Sequence, residues 1–217
     1  MTAFAAADHP AVAMNILFKL TRRQVWDFGR SADAVATWES LDAETQDWLW
    51  SGSSVFWEYL GLVFEAYARA DDFAGAEAFA NGVLNDIAVP ADGLPYVGVP
   101  FARQLIRRGR IPEGLALFER LAQSAPRHAQ CALAWYWLAI AALQQENVSK
   151  SKEYAACIRQ AQNLKTGLSA EYRLDAKALL LLADLNPAGV DPAAHYKTSQ
   201  LNEYAQQINA DLNWIAP

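Results

Sequence analysis

Lys19 with Arg23 and Arg103 with Arg107 are basic pairs spaced by four, which sets each pair on one face of a helix. Two cations held side by side can grip an oxyanion such as a peptide carboxylate. Asp33, Glu39, Asp42, Glu44 and Asp47 form an acidic stretch that could supply a carboxylate pair for acid–base work. Helix caps and solvated helix faces account for such a run without chemistry. His9, His128 and His195 lie far apart, so they do not read as a metal ligand set. The chain has no Gly-rich phosphate loop, nucleophile elbow or two-histidine zinc helix motif. No catalytic residue, metal ligand or cofactor is therefore expected.

The elements that carry these residues belong to a chain of 217 residues, 53% of them hydrophobic, enough to bury a substantial core. The net charge of −6 is unevenly spread: residues 1–108 hold eight basic side chains against fourteen acidic, and the remainder ten against ten. Nucleic acid and anionic lipid attract proteins through a positive field, so both are set aside as partners. Cys131 and Cys157 are the only cysteines, which points to a reducing, cytoplasmic setting with two thiols filling core space. A disulfide would require them to meet at the open end of one hairpin. Residues 1–10 lack a signal peptide's basic start and apolar core and read as a flexible tail. The densest apolar run, Ala176 to Leu185, is broken by Lys177 and Asp184 and falls short of the roughly 18 apolar residues of a membrane span.

Apolar residues recur at three and four, as in Leu133, Trp137, Ile140 and Leu143, while strand signals are nearly absent. The chain is expected to be all-α. Turn residues punctuate it at Phe28–Ser31, Arg69–Asp72, Arg108–Arg110, Gln145–Asn147 and Pro187–Gly189, at intervals of roughly 40 residues, a period typical of helical repeats. A small residue follows most turns near the start of the next helix: Ala34, Ala76, Gly114, Ser151 and Ala194. Two helices joined by a short turn cross closely there, and a bulky side chain would hold them apart. Pro112, Asp191–Pro192 and Ser169 mark further helix starts.

Trp57-x-x-Leu60-Gly61-x-x-Phe64 and Trp135-x-x-Leu138-Ala139-x-x-Ala142 share one spacing. Together with Gly109, Gly114, Phe118 and Pro126, and with Ser151 and Ala155, they resemble the tetratricopeptide repeats, whose motif runs Trp, Leu, Gly, Tyr, then Ala and Phe, then Pro. The Trp57 copy departs from the pattern, because Ala76 arrives three residues late. The resemblance implies a right-handed superhelical stack of antiparallel helix pairs over residues 11–217. First helices would then line a concave groove that holds a partner's protein or peptide segment, acidic in character. On that basis Lys19, Arg23, Trp26, Glu65, Arg69, Arg103, Ile106, Arg107, Tyr136, Ile140 and Gln144 face the groove. The family's carboxylate clamps also use asparagines on first helices, and none stands in the matching places here. The other reading of Arg103, Arg107, Arg108 and Arg110 is that they complement the dipole at a helix C-terminus.

Residues 86–100 hold three prolines and two glycines, a composition that breaks a continuous helix. This interruption is either a linker between repeats or an ordered loop that offers Leu94, Tyr96 and Val97 to the binding surface. Most of the eight tryptophans are expected in the core, with Trp26, Trp48 and Trp50 the exceptions. Three functions follow. The leading one is an adaptor, scaffold or chaperone-like holder. The second is an enzyme or enzyme subunit with a site near the Pro-rich loop, and the third is self-association through Trp48, Trp50 or the last helix.

Overall fold

The computed structural model describes residues 10–46, 55–86, 88–161, 173–191 and 196–215. Expectations for His9, Asp47, Trp48, Trp50, Ser169, Pro192, Ala194 and His195 lie outside these residues. The fold is all-α, with no strand among the described residues. The helices are α1 (Pro10–Arg22), α2 (Ser31–Glu39), α3 (Phe56–Arg69), α4 (Phe73–Asn85), α5 (Leu94–Arg107), α6 (Ile111–Ser124), α7 (Cys131–Gln144), α8 (Val148–Gln160), α9 (Leu174–Leu182) and α10 (Thr198–Trp214). The chain divides into two compact units, residues 1–101 and 102–217, at a point within α5.

Four turns share one backbone device. Gly29, Asp71, Gly109 and Glu146 each take a left-handed φ, between 60° and 79°, and each is followed by the N-cap of the next helix. In three of them the cap residue's N–H reaches back five residues to a carbonyl of the preceding helix: Asp72 to Tyr67, Arg110 to Leu105 and Asn147 to Ala142. This is the six-to-one hydrogen bond that closes a helix end on a left-handed residue. At the first turn Arg30 N reaches Gln24 O, six back, because Arg23–Asp27 is a π-helical turn that inserts one residue. Asp72 and Asn147 also accept from backbone N–H groups three residues on, as capping side chains do.

The residue four beyond each cap is the small one the turn spacing demands. Ala34, Ala76, Gly114 and Ser151 are all buried. At Gly114 the fit excludes any side chain, since a Cβ would lie 2.7 Å from the Ala102 carbonyl oxygen and 2.6 Å from Ile106.

The Pro/Gly-rich stretch differs from expectation. The break is confined to the residues before Leu94, and from there the chain is helical through Arg107, with Pro100 inside α5. Pro95 falls in the first turn, where a missing N–H costs nothing. Pro100 has no N–H to give to the Tyr96 carbonyl four residues back, and that carbonyl oxygen lies 2.7 Å from where a Cβ on Gly61 would stand. The glycine of the first Trp-x-x-Leu-Gly motif is thus the point where α3 meets this non-standard helix. Leu94 and Tyr96 sit half-buried on α5 and Val97 is buried, so none is carried on a loop.

In the first unit, α3 packs against α1, α2 and α4, and buries Tyr59, Val63 and Phe64. Trp38 stands edge-on to Phe79, with ring centroids 5.6 Å apart. In the second unit, α7 is the central helix. Every residue from Cys131 to Ala142 is buried, because α6, α8, α9 and α10 all pack on it. Its Ala- and Leu-rich sequence suits such a helix, apolar on all sides. Trp135 stacks on Tyr154 at 5.6 Å and donates its indole N–H to the Pro126 carbonyl at 3.2 Å. Cys131 and Cys157 are both free thiols.

Candidate functional site

The Arg-bearing end of α5 opens onto a cleft of about 320 Å³ in the second unit. Its lining is Arg103 and Arg107 from α5, Trp137 from α7, and Asp211 and Trp214 from α10. The four-residue spacing turns both guanidiniums the same way, and Arg107 sits in the last helical turn, where a cation also complements the dipole. Arg110 belongs elsewhere, in a two-pronged ion pair with Glu113 that holds the Glu113 carboxyl below its ordinary value. Trp137 and Trp214 meet edge to face at 5.0 Å. Trp137 is buried, while Trp214 remains 39% exposed. The Trp137 indole N–H has no acceptor among the described residues.

Behind the lining lies a polar network. Asp211 accepts a hydrogen bond from the Tyr136 hydroxyl, and its Oδ2 lies 3.4 Å from Lys177 Nζ on α9. The same ammonium sits 4.8 Å from the centre of the Tyr136 ring. Lys177 is only 6% exposed, and burial pulls its pKa down, with the Asp211 charge partly opposing. Tyr136 is 2% exposed, and burial, the Asp211 charge and the hydrogen bond push its hydroxyl well above 10. Tyr136 therefore remains a neutral donor, fixing the Asp211 side chain that forms one wall of the cleft.

The first unit assembles a second group from the expected residues. Arg69 lays its guanidinium 3.7 Å from the centre of the Trp26 ring and approaches Glu65 at 3.8 Å. Trp26 is 51% exposed on the π-helical turn, in keeping with its expected exception from the core. Lys19 and Arg23 are exposed on α1 and the turn that extends it.

No protein-family model, no curated protein and no solved structure matches this chain. Of the expected groove residues, Arg103 and Arg107 reach one cleft. Tyr136 and Ile140 are interior residues and cannot line a surface, although Tyr136 acts on the cleft through Asp211. Gln144 is half-buried at the far end of α7 from Cys131 and is not part of the lining.

Trp137, Asp211, Trp214 and Lys177 were not among the expected site residues. Lys177 had a visible signal, a lone cation in an apolar run. Asp211 and Trp214 are three apart on one helix, a spacing that marks a shared face but carries no chemistry by itself. Among the described residues no group of three or more His, Cys, Asp or Glu is placed to hold a metal ion, and no helix is long and apolar enough to cross a membrane. The cleft brings two guanidiniums, one carboxylate and two aromatic rings together, a net positive lining suited to holding an anionic group beside an apolar one.

Proposed function

We propose that this protein is a protein–protein interaction module, an adaptor or scaffold, whose Arg103–Arg107 cleft holds an acidic segment of a partner. One observation carries the reading: two guanidiniums and two indoles line a single open cleft. Arg and Trp are the residues most often found to dominate binding energy at interfaces. Guanidiniums pair with carboxylates in a forked geometry, and indole faces accept the neighbouring apolar side chains. The recurrence of one turn geometry, with a small residue four beyond each cap, supports a tetratricopeptide-like array of helix pairs in a right-handed superhelical stack. Two free thiols fit a cytoplasmic setting.

A second reading, an enzyme, draws on the Tyr136–Asp211–Lys177 cluster behind the cleft, since a buried lysine with a lowered pKa is a recurrent catalytic group. Against it, the Asp211 carboxylate already engages both partners, and Tyr136 and Lys177 are buried and absent from the cleft lining.

The two readings separate with a photo-crosslinking residue placed at Gln207, an exposed position one turn before Asp211 on α10. Binding of a partner segment yields a crosslinked polypeptide whose attachment point is rich in Asp or Glu. Crosslinks only to molecules of low mass, or none, would refute the interaction-module reading.

A further inference from the structure

The geometry points to a second binding site in the same unit, a pocket between α7, α8 and the end of α9 that takes a small apolar molecule bearing one neutral hydrogen-bonding group. The pocket has a volume of about 360 Å³, within the range of ligand sites, and is lined by Leu143, Val148, Ser151, Lys152, Leu181, Asp184 and Leu185. Four aliphatic side chains form its walls. They come from the end of α7, the start of α8, and α9 with the turn that follows it.

Ser151 is the unusual member. Its side chain is at the close crossing of α7 and α8, yet the three equivalent crossings use Ala34, Ala76 and Gly114, so the crossing itself asks only for small size. The hydroxyl is an addition. It is buried, at 2% exposure, and Oγ has no hydrogen-bond partner among the described residues. An unpartnered hydroxyl out of water carries a cost that a ligand's own polar group would remove.

The rim explains why that group is neutral. Lys152 Nζ lies 2.8 and 3.0 Å from the two Asp184 carboxylate oxygens, so the charges at the mouth satisfy each other. A charged ligand would have to compete with this pair. The backbone beneath the pair is also unusual. Asp184 and Leu185 are consecutive left-handed residues, with φ of 55° and 62°, and neither is glycine. Leu185 lines the pocket from this left-handed backbone, and backbone of this kind in non-glycine residues clusters at ligand sites.

Benzyl alcohol, toluene and benzoate, titrated into the full-length protein, test the assignment through the methyl signals of Leu143, Val148, Leu181 and Leu185. Benzyl alcohol should shift these signals saturably and bind more tightly than toluene, with benzoate weakest. Ser151→Ala, which keeps the small size used at the other crossings, should weaken benzyl alcohol by about 2–10-fold and leave toluene unchanged. Val148→Trp, at a position 44% exposed on the pocket mouth, should abolish both while leaving the thermal midpoint in place. The site is overturned if neither neutral probe shifts the methyl signals saturably, or if Val148→Trp leaves binding intact. Toluene matching benzyl alcohol, or benzoate exceeding it, overturns the assigned ligand class.

Discussion

The Tyr136 hydroxyl donates a hydrogen bond to the Asp211 carboxylate across 75 residues of sequence. The bond ties the central helix α7 to the last helix α10, and Lys177 on α9 closes the arrangement from a third side. Because the Trp214 ring leans on Trp137 a few residues away, the same contact sets the wall of the Arg103–Arg107 cleft.

Removing Asp211 takes away the carboxylate that pairs with the buried Lys177 ammonium. Asp211→Ala should therefore lower the unfolding free energy by about 2–4 kcal/mol, the lower part of the range reflecting the partial exposure of Asp211. Lys177→Met, which removes the buried charge and keeps the volume, should cost little. In the Lys177→Met background the Asp211→Ala penalty should shrink by at least half, since its main source is gone. Urea titration of the four proteins measures the coupling. Equal penalties in both backgrounds would show that the ion pair is not what Asp211 supports.

Alkaline pH acts on several buried hydroxyls at once. Burial raises the pKa of Tyr59, Tyr67, Tyr136 and Tyr196, that of Tyr67 to about 12, assisted by a nearby carboxylate at Tyr67, Tyr136 and Tyr196. A folded-state value above the unfolded one means that the native chain keeps a proton that the unfolded chain loses above about pH 10. The stability tied to these groups is complete below pH 10 and is lost as pH climbs through their folded values. Lys177 works in the opposite sense, since its folded value is lowered and its charging penalty fades with rising pH, but it is one group against several tyrosines, Tyr96 among them. The thermal midpoint should fall steadily between pH 10 and 12, and less steeply in Tyr67→Phe. A midpoint flat over that interval would contradict the burial of these hydroxyls.

Two glycines should respond in opposite directions to the same change. Gly82 lies within α4 with nothing inside 4 Å of a built Cβ, so Gly82→Ala should stabilise by roughly 1 kcal/mol through backbone entropy. Gly114→Ala meets the Ala102 carbonyl and Ile106 at under 3 Å, and overpacking there should cost about 1–3 kcal/mol in spite of the better propensity. Chemical denaturation of both variants checks the pair. A stabilised Gly114→Ala protein would mean that α5 and α6 do not cross where described.

Much of the fold was legible because turns and crossings are local. Gly29, Asp71–Asp72, Gly109 and Glu146–Asn147 carry their own backbone and capping preferences, and Ala34, Ala76, Gly114 and Ser151 report the crossings by size alone. The helix through Pro95 and Pro100 was not legible, since its local composition argues for a break and its close packing on Gly61 of another helix is a tertiary fact. The cleft was half-readable for the same reason. Arg103 and Arg107 announce a shared face by their spacing, whereas Asp211 and Trp214 join them only once α10 docks on α7. Tyr136, which looked like a groove residue by position in the motif, is buried because α7 is covered on every side.

Charge reversal at the cleft is the most direct test of the partner-binding role. Arg103→Glu with Arg107→Glu should abolish capture of the acidic partner from native lysate, with helical content and thermal midpoint unchanged. Lys19→Glu with Arg23→Glu, the exposed basic pair of the first unit, should leave that capture intact. Undiminished capture by the Arg103→Glu, Arg107→Glu protein would contradict the assignment of this cleft as the partner site.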